Sequence, residues 1–180
     1  PAGGLYAFDL DGCRASLRGM ALVSDVITGL DVGDLDGAGG DDVIVQTDAR
    51  TLIALSGADL RELWREAALP LSTAGAVLAA HLDTDGDHDA AAFDASNLNL
   101  LRVENTGTSW NLRVTVGLPA GIARAVAGDL GGDARDELLF LGGGLVEVVS
   151  VADFDFSDVR PRSSSPHGAA AFGDFDGDGN

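Results

Sequence analysis

Four short acidic segments recur along this 180-residue chain, and each has the residue types of a cation-binding loop. They begin at residues 34, 81, 129 and 174, which lie 47, 48 and 45 residues apart. Their common pattern is Asp-x-Asp-x-Asp-Gly-x-x-Asp, with carboxylates at positions 1, 3, 5 and 9 and a turn-forming glycine at position 6. This spacing suits Ca²⁺, which accepts roughly six to eight oxygen ligands in tolerant geometry. Mg²⁺ prefers a strict octahedron, and Zn²⁺ prefers Cys or His.

Each of the three complete loops departs from this pattern but keeps three carboxylates. Ala38 replaces the acid at position 5 of loop one (34–42), and His81 replaces the acid at position 1 of loop two (81–89). Loop three (129–137) has Gly131 at position 3 and Ala134 in place of the glycine. The predicted calcium ligands are Asp34, Asp36 and Asp42; Asp83, Asp85 and Asp89; Asp129, Asp133 and Glu137; and, in the shorter loop four, Asp174, Asp176 and Asp178.

Other interpretations of these loops are less consistent with the sequence. An EF-hand needs a bidentate Glu at position 12, where this chain has Val45, Ala92 and Phe140. A single loop of this kind could be a polar turn, because Asp and Gly are common in turns, but four loops at one period favour a shared ligand. We expect His81 to occupy a degenerate calcium position and His88 to lie in solvent, rather than the pair to bind zinc.

Between the loops, apolar runs of strand length repeat four times per period. The first three runs of each unit are separated by the acidic loop and by short turns rich in Gly, Asn and Asp. The predicted strands are Gly4–Asp9, Arg14–Met20, Val26–Gly33, Asp42–Thr47, Thr51–Ser56, Leu60–Glu66, Ala76–Leu82, Asp89–Asp94, Leu98–Glu104, Trp110–Val116, Ile122–Gly128, Glu137–Gly142, Leu145–Val151, Phe154–Arg160 and Ala169–Gly173. Ala58–Ala68 is the most helix-like stretch, and a short helix there is the alternative.

A period of this length, built on four short strands, predicts an all-β protein made of four-stranded antiparallel β-propeller blades. The approximate blades are residues 1–25 (the C-terminal half of a blade), 26–74, 75–121, 122–167 and 168–180 (the N-terminal part of a blade). The chain thus spans about 3.8 blades. We expect it to be part of a longer polypeptide, and we expect these residues to form an open arc or an arc completed by another segment.

The composition narrows the classes of partner. The net charge is −18, but the four loops hold 15 of the 29 acids, which leaves 14 acids against 11 arginines elsewhere. No basic stripe is present, so the sequence argues against nucleic acid as a partner. No apolar run reaches the ~18 residues of a membrane-spanning helix. We expect the single cysteine, Cys13, to be a small buried apolar residue.

The strings around the loops resemble FG-GAP/VCBS repeats, the calcium-loop blades of integrin alpha-like propellers and many bacterial surface proteins. The resemblance rests on Val-Gly-Asp-Leu-Asp-Gly-Ala-Gly-Gly-Asp-Asp-Val-Ile-Val (32–45), Gly-Asp-Leu-Gly-Gly-Asp-Ala-Arg-Asp-Glu-Leu-Leu (128–139) and Phe-Gly-Asp-Phe-Asp-Gly-Asp-Gly-Asn (172–180). It implies a propeller, usually of seven blades, with calcium between the first and second strands of a blade. It does not imply one activity, because the fold hosts adhesins, lectins and enzymes.

The expected function is therefore that of a calcium-binding propeller segment in a larger extracellular or cell-surface protein. It would serve adhesion, protein interaction or assembly, with a protein or glycan ligand or the remaining blades as partner, and without catalysis of its own. Two alternatives are a glycan-binding, lectin-like propeller and the propeller portion of a carbohydrate-active enzyme. Trp64 and Trp110 occupy matching places in the fourth strands, where packing between blades is favoured over a sugar-stacking role.

Overall fold

Every element in the described part of the chain is a β-strand. The computed structural model describes residues 3–70, 75–94, 99–105, 110–116, 122–142 and 145–150. In chain order the strands are β1 (Gly3–Asp11), β2 (Arg14–Val23), β3 (Ile27–Gly33), β4 (Asp42–Thr47), β5 (Leu52–Leu55), β6 (Glu62–Glu66), β7 (Gly75–Ala80), β8 (Asp89–Asp94), β9 (Asn99–Asn105), β10 (Trp110–Val116), β11 (Ile122–Gly128), β12 (Glu137–Gly142) and β13 (Leu145–Ser150). Within these residues no helix offers a membrane-spanning segment.

The strands form antiparallel sheets in which neighbours in sequence are neighbours in space. β3–β4–β5–β6 and β7–β8–β9–β10 are complete four-stranded sheets, β11–β12–β13 is a three-stranded sheet, and β1–β2 is a hairpin. This arrangement confirms the predicted all-β fold built of four-stranded antiparallel blades. The predicted strands Phe154–Arg160 and Ala169–Gly173 lie outside the described residues.

The structure decides one alternative in favour of the predicted strand and overturns one expectation. The helical alternative for Ala58–Ala68 fails because Glu62–Glu66 pairs with β5, so the sheet overrides the helix propensity of its Ala, Leu and Glu residues. Cys13 is exposed rather than buried, because it lies in the tight turn that joins β1 to β2. The adjoining Gly12 supplies the positive φ of 57° that this turn requires.

Apolar side chains join each sheet to the next. Blade one (β3–β6) and blade two (β7–β10) share one buried cluster, and blade two shares a second with the sheet β11–β13. In the second cluster the rings of Phe93 and Phe140 meet edge to face, 5.6 Å apart. A third cluster, which includes Val23, Val45 and Ile53, joins the β1–β2 hairpin to blade one. Burial between stacked sheets therefore holds the described blades together.

The first strands of successive blades lie side by side. β7 contacts β3 on one side and β11 on the other. The N–H of Ala79 in β7 also donates to the carboxylate of Asp31 in β3, at 2.9 Å. Each of these strands leads directly into an acidic loop, so the fold brings loops one, two and three together at one end of the sheets.

Candidate metal centre

Loop one gathers three carboxylates around one point. Ligand oxygens of Asp34, Asp36 and Asp42 all lie within 4.8 Å of one another. Asp34 directly follows the first strand of the blade and Asp42 begins the second, so the pairing of β3 with β4 sets the separation of these two acids. Asp36 is exposed at the tip of the loop and accepts the N–H of Ala38 at 2.9 Å.

Asp42 is the buried anchor of this group. Its carboxylate accepts the N–H of Leu35 at 3.1 Å and the N–H of Gly57 at 2.8 Å. Burial, and after it the negative charge of Asp36, raises the pKa of Asp42 despite these donors. Gly57 cannot carry a side chain, because a Cβ there would overlap the carbonyl of Asp41. The loop therefore holds a buried carboxyl group, that of Asp42, whose ionised form a neighbouring cation would stabilise.

Asp34 supplies the oxygen that fits a cation best. Its Oδ2 accepts the N–H of Gly39 at 3.0 Å, whereas its Oδ1 is buried and has no hydrogen-bond partner among the described residues. A buried carboxylate oxygen without a partner is costly, and a hard cation such as Ca²⁺ would satisfy it. The three carboxylates, one of which carries this oxygen, therefore form a donor set that fits Ca²⁺.

Loop two is arranged differently around its first position. The Nδ1–H of His81 donates to the carbonyl oxygen of Asp87 at 3.0 Å, so an imidazole group contacts the position-7 carbonyl that would otherwise face a cation. Asp83 and Asp85 support the loop by accepting backbone N–H groups. Burial, followed by the charge of Asp85, raises the pKa of Asp87 to about 6.

Loop three neutralises its acids from within. The Oδ1 of Asp129 accepts backbone N–H groups from residues 131, 132 and 133, and its Oδ2 accepts that of Ala134. Desolvation opposes the ionisation of Asp129, but these four donors outweigh it and lower its pKa. The guanidinium of Arg135, at position 7, pairs with Asp133 at 3.2 Å. The carboxylate of Glu137 accepts the N–H of Leu130 at 2.8 Å, as Asp42 does for Leu35 in loop one.

Of the predicted ligand sets, the structure brings together the one in loop one. Within the described residues, loops two and three do not place three carboxylate oxygens as close to one another. Calcium binding there stays a prediction, as it does for Asp174, Asp176 and Asp178, which lie outside the described part of the chain. Trp64 packs against the cluster between blades one and two, as expected, whereas the side chain of Trp110 falls outside the description.

All three complete loops have the same type of backbone conformation at position 6. Gly39, Gly86 and Ala134 have positive φ values of 81°, 96° and 68°. The pattern Asp-x-Asp-x-Asp-Gly thus predicted the turn correctly, and loop three keeps it with an alanine in a conformation that favours glycine.

Position 8 is a contact residue that the sequence pattern did not reveal. The N–H of His88 donates to the carbonyl of Asp34 at 2.7 Å, and its Nδ1 accepts the N–H of Asp34 at 3.2 Å. His88 is therefore half-buried between two loops, and its predicted placement in solvent is wrong. Burial, and after it the nearby His81, lowers the pKa of His88. The signal available in the sequence was a polar residue at position 8 of every complete loop.

Comparison with known proteins bears on the fold. Neither a protein-family model nor a curated protein matches the chain. Among solved structures, it is similar to BamB from Moraxella catarrhalis, a β-propeller, with a TM-score of 0.52 and 22% sequence identity. The match covers 76% of this chain and 37% of the BamB chain, so this chain spans little more than a third of that protein's length. The likeness supports a β-propeller fold, and the resemblance to FG-GAP/VCBS repeats stays a prediction.

Proposed function

We propose that this chain is a calcium-binding β-propeller segment that acts as a binding or assembly module rather than as an enzyme. The observation that supports calcium binding is the acid group of loop one, in which the buried Oδ1 of Asp34 has no hydrogen-bond partner among the described residues. Asp34, Asp36 and Asp42 would hold the ion. When bound, Ca²⁺ supplies the positive charge that offsets the repulsion among these carboxylates.

The proposed setting is extracellular or at a cell surface. Loop one offers three carboxylates and no acid at position 5, so waters and backbone carbonyls would complete the coordination. Such a reduced ligand charge favours the weak range of extracellular modules, with a Kd on the order of 0.1–1 mM. A site of that affinity would fill only where calcium reaches the millimolar range, as it does outside cells.

The proposed partner is another protein surface. The face of the β1–β2 hairpin that points away from blade one carries large apolar side chains with more than half of their surface exposed. This set comprises Tyr6, Phe8, Leu10, Leu17, Met20 and Leu22. The other interfaces between sheets bury apolar faces of the same kind, so a further sheet or a partner protein would be the natural cover.

Calcium titration of the wild type and of Asp36→Ala tests the proposed function. Asp36 is exposed and makes one backbone hydrogen bond within its own loop, so its removal disturbs the fold little. We expect calorimetry to show a binding step that Asp36→Ala abolishes. We also expect calcium to raise the melting temperature of the wild type, relative to EDTA, by about 2–5 °C. Magnesium at the same concentration should raise it less.

Asp41→Ala is the matched control for this titration. Asp41 lies in the same loop and carries the same charge, but it is exposed and lies outside the group of three acids. The control variant should retain the binding step. Identical melting curves with calcium and with EDTA for the wild type, or equal loss of binding in both variants, would contradict a calcium site formed by Asp34, Asp36 and Asp42.

A further inference from the structure

Two successive loop contacts repeat the same pair of hydrogen bonds. Between loops one and two, His88 donates its N–H to the carbonyl of Asp34 and accepts the N–H of Asp34 on Nδ1. Between loops two and three, Asp136 donates its N–H to the carbonyl of His81 at 2.7 Å and accepts the N–H of His81 on Oδ2 at 2.8 Å. Position 8 of one loop thus fixes position 1 of the preceding loop. We call this pair of bonds the loop clamp.

The loop clamp binds both backbone polar groups of one residue, its N–H and its C=O. Because the N–H and the C=O of Asp34 are both engaged, the peptide planes on either side of its Cα are fixed, and so is the direction of its side chain. That side chain is the first ligand of the candidate calcium site. An acceptor at position 8 is the common requirement, since an imidazole nitrogen serves in one clamp and a carboxylate oxygen in the other.

His88 is itself held in place on two sides. Its ring lies against that of His81, with 3.9 Å between the ring centroids. On another side it contacts Gly33, where a Cβ would come within 2.9 Å of the imidazole carbons. Packing on two sides therefore restricts the position of the imidazole ring. A residue that orients another group needs such a fixed position.

We infer that His88 is a positioning residue for the cation site in loop one, although it belongs to loop two and lies 54 residues further along the chain. The inference rests on the proposed calcium site for its functional part, whereas the loop clamp itself does not depend on calcium. Removing a residue that orients a metal ligand in this way changes metal affinity by roughly 10–100-fold.

His88→Phe and His88→Asn test this role. Phe keeps a flat ring beside His81 but has no acceptor, whereas Asn restores an acceptor that can reach the N–H of Asp34. We expect His88→Phe to weaken the calcium step lost in Asp36→Ala by roughly 10–100-fold and His88→Asn to bind close to the wild type. Asp136→Ala is the control, because it opens the clamp at the next interface and reaches His88 only indirectly, so it should weaken the affinity of loop one far less than His88→Phe does.

Hydrogen exchange of the Asp34 amide in EDTA separates the loop clamp from calcium binding. The amide should be protected in the wild type and in His88→Asn, and exchange faster in His88→Phe. Unchanged exchange in His88→Phe would overturn the clamp. Faster exchange with unchanged calcium affinity, or equal loss of affinity in Asp136→Ala, would overturn the positioning role. If the wild type bound no calcium, the proposed function and the positioning role would both fall, while the exchange data would still decide the clamp.

Discussion

Loops one and three share a positive φ at positions 4 and 6, but they surround their acids in opposite ways. In loop one, no residue from Asp34 to Asp42 is basic, and three carboxylates converge within 4.8 Å. In loop three, Arg135 pairs with Asp133, and backbone N–H groups surround Asp129. The acidic pattern therefore specifies the turn, whereas the residues at the variable positions decide whether the acids find partners within their own loop.

The largest expected effect compares the last acid of each loop. In metal-free buffer, Asp42→Ala should lower the free energy of unfolding by about 3 kcal/mol, because two backbone N–H groups lose a charged acceptor in a buried place. Glu137→Ala removes one such bond in a less buried position and should cost about 1 kcal/mol. Urea unfolding measures both values. Equal decreases in the free energy of unfolding would mean that Asp42 and Glu137 stabilise their loops to the same extent.

The second effect concerns pH and loop two. The fold raises the pKa of Asp87 from 3.8 to about 6, so the folded protein binds this proton more tightly than the unfolded chain. The contribution of Asp87 to stability is therefore favourable at low pH and is lost as the pH rises from 3.8 to about 6. In EDTA, Asp87→Asn should stabilise the protein at pH 7 by about 1 kcal/mol after allowance for solvent screening.

The test of this pH dependence is urea unfolding of both proteins across the acidic range. The stabilising effect of Asp87→Asn should shrink as the pH falls from 7 towards 4. An equal difference in stability at both ends of the range would show that the charge of Asp87 is not responsible. Calcium should also reduce the difference at pH 7, because Asp34, Asp83 and Asp85 contribute to the raised pKa and a bound cation would offset them.

The third effect converts loop three towards loop one. Arg135→Ala removes the basic group that pairs with Asp133, at a cost of about 0.5 kcal/mol in EDTA. Calcium should then raise the melting temperature more than it does in the wild type, because the acids of loop three lack their internal partner. Arg65→Ala, which breaks a comparable exposed pair with Glu62 on β6, is the control and should leave the calcium response unchanged. An unchanged response in Arg135→Ala would contradict internal neutralisation.

The smallest effect concerns the shared turn. Ala134→Gly should raise the free energy of unfolding by about 0.5 kcal/mol, because relief of the positive φ outweighs the greater backbone entropy of glycine in the unfolded chain. Gly39→Ala, at the same position in loop one, should lower it by a similar or greater amount. Differential scanning calorimetry can resolve both changes. A destabilised Ala134→Gly would show that the alanine methyl group makes favourable contacts.

Local signals in the sequence were sufficient for the strands. β4 spans Asp42–Thr47, as predicted, because an acidic loop precedes it and a turn follows it, and both are visible in neighbouring residues. β6 was the ambiguous element, since the residues Glu62–Glu66 suit a helix until pairing with β5 decides the matter. Periodicity thus predicted both the sheets and the propeller, and the resemblance to FG-GAP/VCBS repeats implies the same fold.

The candidate site was less predictable because its distinguishing contacts cross between blades. Spacing alone proposed three ligands in every complete loop, but the donors that surround Asp129 depend on the local path of loop three. The role of His88 depends on a residue 54 positions earlier, and its counterpart in the next loop is Asp136, so no common residue type marks it. Contacts of this kind become visible only when the sheets are stacked.

Both loop clamps in the described part of the chain point backwards along the sequence, and this direction has a consequence for the order of folding during translation. Loop one is fastened by His88, and loop two by Asp136, in each case about one repeat later. At roughly 5–20 residues per second, each newly made loop waits several seconds for the residue that fixes it. Each unit would thus mature only as its successor is translated, so that order is completed from the N-terminus onwards, one repeat behind synthesis.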